Sequence, residues 1–397
     1  MNTDFASAPS SIPRRPRALV IGGSLGGLFA ANLLRRIGWD VDIYERSPHD
    51  LDSRGGGIVL QPDVVEVFRR SGVDLATMNL GVQSIYRTVF RPDGSIQSRH
   101  LAPQTQTSWS LIYTTMRSTL GDGHYHQGRT LARIEQDREA GTVTAWFADG
   151  ARETGDLLIG ADGGNSTVRR LLWPTAQPAY AGYLAWRGLV PEAAMPLPAR
   201  QGLLGDFGFA NNTESHILGY LVPGEHNDVR VGHRLYNWVW YRVADEAALE
   251  QIMTDRDGRR RGYSVPEGML ADQWKKHLQE EARTLLPPPF RALVEITGQP
   301  FAQAIRDLAS EHMVDGRVAI LGDAASIPRP HTAASSAKAA SNALALADVL
   351  RARPDDVEGA LKRWEPAQIA LGRDLMRQGV SAGEYLLFHR VLSARAG

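Results

Sequence analysis

The stretch RALVIGGSLGGLFAANLLRR, residues 17–36, constrains the fold more than any other part of the sequence. Its apolar start, residues 17–21, is typical of a buried parallel strand, and residues 25–37 have the apolar spacing of a helix. Between the two lies a short turn made almost entirely of glycine. Because WDVDIYE at 39–45 has the pattern of a second strand, we expect one β-α-β unit here.

The turn is similar to the G-x-G-x-x-G turn that holds a pyrophosphate at a helix N-terminus. Gly22 supplies the tight turn, and Gly27 lets the helix pack closely on the strand. Ser24 stands where the second glycine is expected, and its hydroxyl could itself donate a hydrogen bond to a phosphate oxygen. The sequence therefore predicts a phosphate-binding turn.

Glu45 supports this prediction, because it lies at the end of the second strand, about 20 residues downstream of the turn. A carboxylate there accepts hydrogen bonds from adenosine ribose hydroxyls and repels a 2′-phosphate. The alternative is an ordinary tight turn followed by a solvent-exposed glutamate. The turn and Glu45 together do not distinguish FAD from NAD.

Composition excludes several classes of function. Lys plus Arg and Asp plus Glu number 44 each, which argues against nucleic acid as the main partner, and the absence of cysteine excludes disulfides and thiolate metal sites. The histidines form no evident metal set: His124 and His126 have only Asp122 nearby. No apolar run is long enough to span a membrane, and the polar N-terminal segment resembles a disordered lead-in, so we expect a soluble cytoplasmic protein.

The rest of the chain predicts a second, different sheet. From about 180 to 243, aromatic and β-branched residues alternate with polar ones, which is typical of antiparallel strands. By contrast, residues 17–21, 157–160 and 317–321 are short and apolar, and we expect them side by side in one parallel sheet. We also expect helices at 114–120, 334–350 and from 357 to the C-terminus.

Two further motifs close buried strands: DGGNSTVR at 162–169 and GDAA at 322–325. Together with the glycine turn, in this order, they resemble the single-component flavoprotein aromatic hydroxylases, the group of p-hydroxybenzoate and salicylate hydroxylases. The resemblance spans about residues 17–350. Within the group, GGSLGGL and RPHTAASSAKAASNALALAD are most similar to enzymes that hydroxylate 2,6-dihydroxypyridine in nicotine degradation.

The resemblance implies an α/β fold: a Rossmann-like FAD-binding domain with an inserted antiparallel-sheet substrate domain and C-terminal helices. The expected ranges are 14–175 and 301–352 for the FAD-binding domain, 176–300 for the substrate domain and 353–397 for the C-terminal helices. A homodimer is also expected.

The resemblance also implies which residues bind FAD. Ser24 and Leu25 would meet the pyrophosphate, Glu45 the adenosine ribose, and Asp323 the ribityl and pyrophosphate region. Arg117 would reach FAD from the side, and Leu131 would lie near the adenine. The full set implied around the cofactor is Gly22, Ser24, Leu25, Gly27, Glu45, Arg46, Arg54, Arg117, Leu131, Asp162, Arg169, Asp323, Ala333, Ala334, Ser335, Ser336 and Ala337.

One stretch departs from the family pattern. After the GD motif the family usually continues to a G-x-G-x-N turn, but here the chain reads HTAASSA at 331–337, with Asn342 where an acidic residue tends to stand. Small residues at a helix start still place free N–H groups, and the positive end of the helix dipole, at the flavin edge that becomes negative on reduction. We therefore keep the prediction of a flavin site.

The chemistry implied is hydroxylation of an electron-rich ring by NADH or NADPH, FAD and O2, through a C4a-hydroperoxyflavin, with 2,6-dihydroxypyridine giving 2,3,6-trihydroxypyridine. A salicylate-type or other phenolic hydroxylase, a flavin dehydrogenase or oxidase, and a non-catalytic nucleotide sensor remain alternatives. His233 is the predicted substrate contact. It is chosen from the inward candidates of the inserted sheet, which are Tyr183, Trp186, Arg187, His216, Tyr220, His233 and Tyr236.

Overall fold

The computed structural model describes residues 14–51, 56–212 and 214–390. The predicted N-terminal lead-in, up to residue 13, and Arg54 lie outside these residues. None of the described helices is both long and apolar enough to cross a membrane. The helices are α1 (Leu25–Arg36), α2 (Pro62–Ser71), α3 (Trp109–Leu120), α4 (Thr167–Leu172), α5 (Leu197–Leu203), α6 (Glu246–Ile252), α7 (Asp272–Leu285), α8 (Pro288–Ile296), α9 (Ser335–Ala352) and α10 (Val357–Phe388).

The strands fall into three sheets. They are β1 (Arg17–Ile21), β2 (Asp40–Tyr44), β3 (Gly57–Val59), β4 (Val82–Phe90), β5 (Ile96–Ser108), β6 (Tyr125–His126), β7 (Leu131–Asp137), β8 (Thr142–Phe147), β9 (Arg152–Gly155), β10 (Leu157–Gly160), β11 (Ala179–Pro191), β12 (Asp206–Asn212), β13 (Ser215–Val222), β14 (Leu235–Val243), β15 (Ser264–Val265), β16 (Phe301–Ala309), β17 (Val314–Asp315), β18 (Val318–Ile320) and β19 (Ser326–Ile327).

The first sheet has six strands in the order β17-β18-β10-β1-β2-β6. Strand β1 pairs in parallel with both β2 and β10, and β10 pairs in parallel with β18. The predicted β-α-β unit is thus confirmed, as is the prediction that three distant strands lie side by side. Helix α1 packs against α3 and α9 beside this sheet, and β1 and β10 are buried almost throughout. A separate three-stranded sheet, β7-β8-β9, follows β6 along the chain.

The second large sheet has ten strands, with the main order β15-β16-β11-β14-β13-β12-β4-β5-β3 and β19 paired to β16. Its centre, β11 to β14, is antiparallel, as predicted for residues 180–243. Strands β3 to β5 and β16 also belong to it, although the predicted ranges assigned them to the FAD-binding domain. The structure therefore differs from those ranges: residues 57–59, 82–108 and 301–309 join the antiparallel sheet.

The two faces of this sheet differ because successive side chains of a strand point to opposite sides. On one face, Trp186, Trp238 and Trp240 are fully buried in a core that also includes residues of α7 and α8. On the other face, alternate residues of the same strands line a cleft against the first sheet. The predicted inward candidates Trp186 and Tyr236 lie in the buried core, so they face away from the cleft.

Candidate active site

A single cleft of about 500 Å³ lies between the two large sheets and contains all three motif turns. It begins at the glycine turn after β1 and passes the ends of β2, β10 and β18. It ends on the face of the antiparallel sheet. The predicted cofactor residues that line it are Gly22, Ser24, Glu45, Arg46, Leu131, Asp162, Asp323, Ala333, Ala334, Ser335 and Ser336.

The first turn has the geometry that a phosphate cradle requires. Gly22 has φ +105°, and a Cβ there would lie 2.5 Å from the carbonyl oxygen of Ala161. A Cβ on Gly27 would lie 1.9 Å from the Gly22 carbonyl oxygen, so α1 approaches β1 as closely as predicted. Ser24 is the N-cap of α1, yet its side chain makes no capping hydrogen bond. The N–H groups of the first turn of α1 and this hydroxyl are therefore suited to an anion in the cleft.

Glu45 braces the same turn. Its side chain is buried, and one carboxylate oxygen accepts a hydrogen bond from the Gly23 N–H at 2.8 Å. The other oxygen accepts from the Ser47 N–H at 2.9 Å. Because Glu45 also lines the cleft, its remaining lone pairs face the space beside the turn. Glu45 thus shapes the glycine turn as well as bordering the cleft.

The DG turn is held by two charged residues with different tasks. Asp162 accepts hydrogen bonds from the Ser166 hydroxyl at 2.5 Å and the Thr167 N–H at 2.6 Å, which fixes the start of α4. The buried Arg169 donates to the carbonyl oxygens of Gly164 and Ala324, each at 2.7 Å. Arg169 therefore ties the DG turn to the GD turn, and it does this without lining the cleft itself.

The GD turn is built around Asp323 and a buried lysine. The carboxylate of Asp323 accepts from the Ser335 hydroxyl at 2.8 Å and from the Lys338 ammonium at 3.1 Å. Gly322 has φ +62°, and its N–H donates to the side-chain oxygen of Asn342 at 3.1 Å. Asn342, at the position where the family tends to have an acid, therefore holds the GD turn in place. Sequence reasoning did not identify Lys338.

The stretch that departs from the family pattern also borders the cleft. Ala333 has φ +51°, a left-handed conformation that favours glycine and costs an alanine about 1–2 kcal/mol. Ala334 precedes the first residue of α9, and no side chain caps that helix start. The free N–H groups of α9 thus begin at the cleft, where they suit a negatively charged group. Ala337, the third residue of α9, does not line the cleft.

Several predicted site residues lie elsewhere among the described residues. Leu25 is buried inside α1. The guanidinium carbon of Arg117 lies 4.2 Å from the ring centre of Tyr125, and a terminal nitrogen lies 2.9 Å from a carboxylate oxygen of Asp122. Contrary to the prediction, Arg117 therefore does not line the cleft. Tyr125 in turn donates to the Gly23 carbonyl oxygen, so Arg117 supports the turn through Tyr125.

The prediction for His233 is not supported. Its side chain is 58% exposed and lies 3.6 Å from Asp228 in the turn before β14, away from the cleft lining. Gly232, directly before it, has φ +87°, which is incompatible with an extended strand, and β14 begins only at Leu235.

His124 and His126 both approach one oxygen of Asp42, at 3.4 and 3.2 Å. Neither these three side chains nor any other group of His, Asp and Glu within the described ranges has an arrangement that could hold a metal ion.

The far end of the cleft is an aromatic pocket on the antiparallel sheet. Phe207, Tyr220 and Tyr241 line it, and the rings of Phe207 and Tyr220 meet edge to face at 4.7 Å. The polar side chains of Arg187 and Gln303 enter the same space. Sequence reasoning named Arg187 and Tyr220 among its candidates but missed Phe207, Tyr241 and Gln303.

A cluster of tyrosines and neutral histidines borders this pocket. The hydroxyl of Tyr183 lies 2.9 Å from Nε2 of His331, whose ring is 4.7 Å from that of Tyr241. His216 stacks on the same tyrosine. Burial lowers the pKa of His216 to about 4 and that of His331 to about 3. Both imidazoles are therefore uncharged near neutral pH.

The donor set fits a flavin dinucleotide. Two uncapped helix starts, those of α1 and α9, face one cleft, and the acidic side chains of Glu45 and Asp323 border it. Helix starts suit the pyrophosphate and the electron-rich pyrimidine edge of the flavin, and carboxylates suit the hydroxyls of the ribose and ribityl chains.

Comparison with known proteins agrees with this geometry. A family model described as "FAD binding domain-like" matches residues 180–307. The chain is 36% identical over 361 residues to the 2,6-dihydroxypyridine 3-monooxygenase of Paenarthrobacter nicotinovorans, covering 91% of this chain and 89% of that protein. It is 27% identical to the 6-hydroxynicotinate 3-monooxygenase of Pseudomonas fluorescens, covering 85% and 83%.

The fold is also that of a solved relative. The structure of 2,6-dihydroxypyridine-3-hydroxylase from Arthrobacter nicotinovorans superposes with a TM-score of 0.88 and 33% identity, covering 96% of this chain and 95% of that chain. Sequence and fold therefore agree with those of the dihydroxypyridine hydroxylases over nearly the whole length of this chain, and the donor set of the cleft fits the flavin dinucleotide. The chain belongs to the FAD-dependent aromatic-ring hydroxylases, a family of flavoprotein monooxygenases.

Proposed function

We propose that this protein converts 2,6-dihydroxypyridine to 2,3,6-trihydroxypyridine, a step in nicotine degradation, with bound FAD, transient NADH or NADPH, and O2. The observation that carries the proposal is one continuous cleft in which the glycine turn, the DG turn and the GD turn lead to an aromatic pocket. The choice of ring is supported by the 36% identity to a 2,6-dihydroxypyridine 3-monooxygenase.

The chain offers a distinct group for each part of the cofactor. Ser24 and the first N–H groups of α1 would hold the pyrophosphate, and Glu45 the adenosine ribose. Asp323 would accept hydrogen bonds from the ribityl region. The N–H groups at the start of α9 would face the pyrimidine edge, where negative charge develops on reduction.

Once bound and reduced by the nicotinamide, FAD would activate O2 and supply an electrophilic oxygen atom. The role of the protein is to hold the substrate ring in a fixed orientation and to exclude water from the pocket. Phe207, Tyr220 and Tyr241 provide the apolar walls for this task, and edge-to-face packing restrains Phe207 against Tyr220. A dry pocket favours transfer to the ring over wasteful release of hydrogen peroxide.

The test is oxygen consumption by the purified, flavin-loaded enzyme with NADH or NADPH and a panel of hydroxypyridines and hydroxybenzoates. We expect uptake to rise with 2,6-dihydroxypyridine, one oxygen atom to be added per NADH oxidised, and mass spectrometry to identify the trihydroxypyridine. Product from a phenolic acid alone would indicate a salicylate-type hydroxylase. Hydrogen peroxide without product indicates an oxidase, and no reaction with the nicotinamides indicates a sensor.

A pair of variants sharpens the test of the pocket. Phe207→Ala opens a wall of the cleft, so we expect a larger fraction of NADH to be oxidised without product. Phe209 stacks on Phe207 at 4.4 Å but does not line the cleft, which makes Phe209→Ala the matched control. Coupling in Phe207→Ala equal to that of the wild type would exclude Phe207 from the pocket.

We also propose a cytoplasmic homodimer. A cytoplasmic site is supported by the need for a nicotinamide donor, and self-association by the apolar side chains of Ile85, Ile96 and Leu101, which are 49–67% exposed on β4 and β5. Light scattering after size exclusion should give twice the chain mass, and Leu101→Glu should lower it towards one.

A further inference from the structure

Arg187 enters the cleft as a positive charge for which the described residues supply no carboxylate partner. It lies on β11 with neighbouring strands on both sides, and its side chain lines the aromatic pocket. One terminal nitrogen lies 3.5 Å from the amide oxygen of Gln303, a long contact. The Nε atom is buried and has no hydrogen-bond partner.

The surroundings hold the guanidinium in place without neutralising it. Gly56 packs against it so closely that a Cβ at that position would lie 2.4 Å from a terminal nitrogen of Arg187. The ring of Phe301 lies 5.6 Å from the guanidinium carbon. Two other arginines of the same sheet are paired with acids, Arg242 with Glu281 at 2.7 Å and Arg99 with Asp206 at 3.0 Å. Arg306, which also lines the cleft, has no acid partner among the described residues but donates a hydrogen bond to the side-chain oxygen of Asn165 at 2.7 Å. The contrast marks Arg187 as a group with unused donors.

A partly buried guanidinium without a counter-ion is unfavourable unless something restores its lost hydration. Its donors form a planar fork that matches oxygen anions better than neutral groups. Because the walls beside it are aromatic, the ligand that fits is a flat ring bearing a negatively charged oxygen. A deprotonated hydroxypyridine has this form, and loss of its proton also makes the ring more electron-rich.

We propose that Arg187 is the specificity-determining residue of this site and selects the substrate as a ring-oxygen anion, with Gln303 holding the same edge of the ring. This inference rests on the proposed hydroxylation of a hydroxypyridine. It adds that the enzyme discriminates by charge, favouring rings whose hydroxyl ionises over rings of equal shape that stay neutral. Arg187 acts on substrate affinity and is not needed to retain FAD.

Two probes of the same shape separate charge from fit. 2,6-Dihydroxypyridine loses a proton readily, whereas 2,6-diaminopyridine has the same outline but cannot become an anion. Each is titrated into the FAD-loaded enzyme without nicotinamide, and the dissociation constant is measured by calorimetry. The wild type should prefer the dihydroxy compound, and Arg187→Gln should weaken its binding by about 10- to 100-fold, the range for a charge-assisted hydrogen bond. Affinity for the diamino compound should change little.

Three companions complete the experiment. Arg187→Lys keeps the charge but not the fork, so it should retain part of the preference. Arg242→Gln removes a paired arginine from the neighbouring strand and should leave both dissociation constants unchanged. If Arg187→Gln does not fold, as judged by its unfolding temperature and FAD content, Arg187→Met replaces it with the same expected loss.

The outcomes separate this inference from the proposed function. Hydroxylation by the wild type, combined with an unchanged dissociation constant in folded Arg187→Gln, overturns the role of Arg187 and leaves the function standing. An equal loss of affinity for both probes also overturns it, because shape would then explain the effect. A wild type that neither binds nor hydroxylates any hydroxypyridine overturns the proposed function and this inference together.

Discussion

The ammonium of Lys338 lies 3.1 Å from a carboxylate oxygen of Asp323, and the lysine side chain is only 1% exposed. It also donates to the carbonyl oxygen of Ser326. Burial lowers the pKa of Lys338, and the nearby Asp323 carboxylate opposes that shift. The first turn of α9 thus carries a buried cation that orients the acid of the GD turn.

Lys338→Met should weaken FAD binding by about tenfold with little change in the free energy of unfolding. The carboxylate of Asp323 would lose its restraint. Because the Asp323 side chain is 42% exposed, it stays hydrated without its partner, and loss of the buried ammonium also removes that group's desolvation cost. Fluorescence titration of the apoprotein with FAD and urea denaturation measure the two quantities. Lys362→Met, at an exposed position of α10, is the control. Undiminished FAD affinity would exclude Lys338 as a positioning residue.

Glu45→Ala should release FAD, because it removes both the expected ribose contact and the brace on the Gly23 N–H. Glu45→Gln keeps an oxygen that can accept from Gly23, so it should retain more flavin than the alanine variant. The ratio of bound FAD to protein after gel filtration checks both. Full occupancy in Glu45→Ala would place the ribose elsewhere.

Gly22→Ala and Gly38→Ala separate backbone strain from steric clash. Both glycines have positive φ, +105° and +95°, so each alanine should cost about 1–2 kcal/mol of unfolding free energy. At Gly38 no atom lies within 4 Å of the new Cβ, whereas at Gly22 it would meet Ala161 and Asp162 within 2.7 Å. We therefore expect Gly22→Ala alone to cost more than this and to lose FAD. Denaturation curves and flavin content of the two variants give the comparison.

Acid should destabilise this protein through His216 and His331. Their folded-state pKa values, about 4 and about 3, lie below the unfolded value. Between about pH 6.5 and 4, these two side chains therefore take up protons only in the unfolded chain. The free energy of unfolding should decrease as the pH is lowered through that window, by at most about 1.4 kcal/mol per pH unit for each histidine. His331→Gln should flatten the slope measured by urea denaturation, with the exposed His100→Gln as control. A steeper or equal slope in His331→Gln would contradict this origin.

The three turns could be predicted because each carries its chemistry within a few consecutive residues. A glycine at positive φ, such as Gly22, or an acid shortly after a strand, such as Asp323, can be recognised from the neighbouring residues alone. The residues of the aromatic pocket have no comparable local sequence pattern. Alternation in β14 gives two sets of side chains, and only packing decides that Trp238 and Trp240 are buried while Tyr241 lines the cleft. The preference of the largest aromatic side chains for the core would have been a usable signal.

Two predictions differ from the structure because the sequence carries no local signal for the observed arrangement: the assignment of β5 to the FAD-binding domain and the choice of His233 as a substrate contact. Strand β5 is mostly exposed and contains Pro103, so its sequence lacks the apolar alternation of a strand. Its register with β4 shifts between Ser84 and Tyr86, opposite Gln104 and Leu101, and Pro103 falls in that irregularity. His233 lies in VRVGHRLY, which looks strand-like, but the strand begins only at Leu235.

The interleaving of the two large sheets limits how this enzyme can be divided. The chain enters the antiparallel sheet at β3, returns to the parallel sheet at β6 and β10, and crosses again for β11 to β16 before β18 completes the parallel sheet. No continuous fragment of the described chain contains all the strands of one sheet without also containing strands of the other. Exchange of substrate pockets between relatives by swapping one contiguous segment should therefore fail. Transplanted specificity will require individual side chains of the cleft face to be replaced within an intact chain.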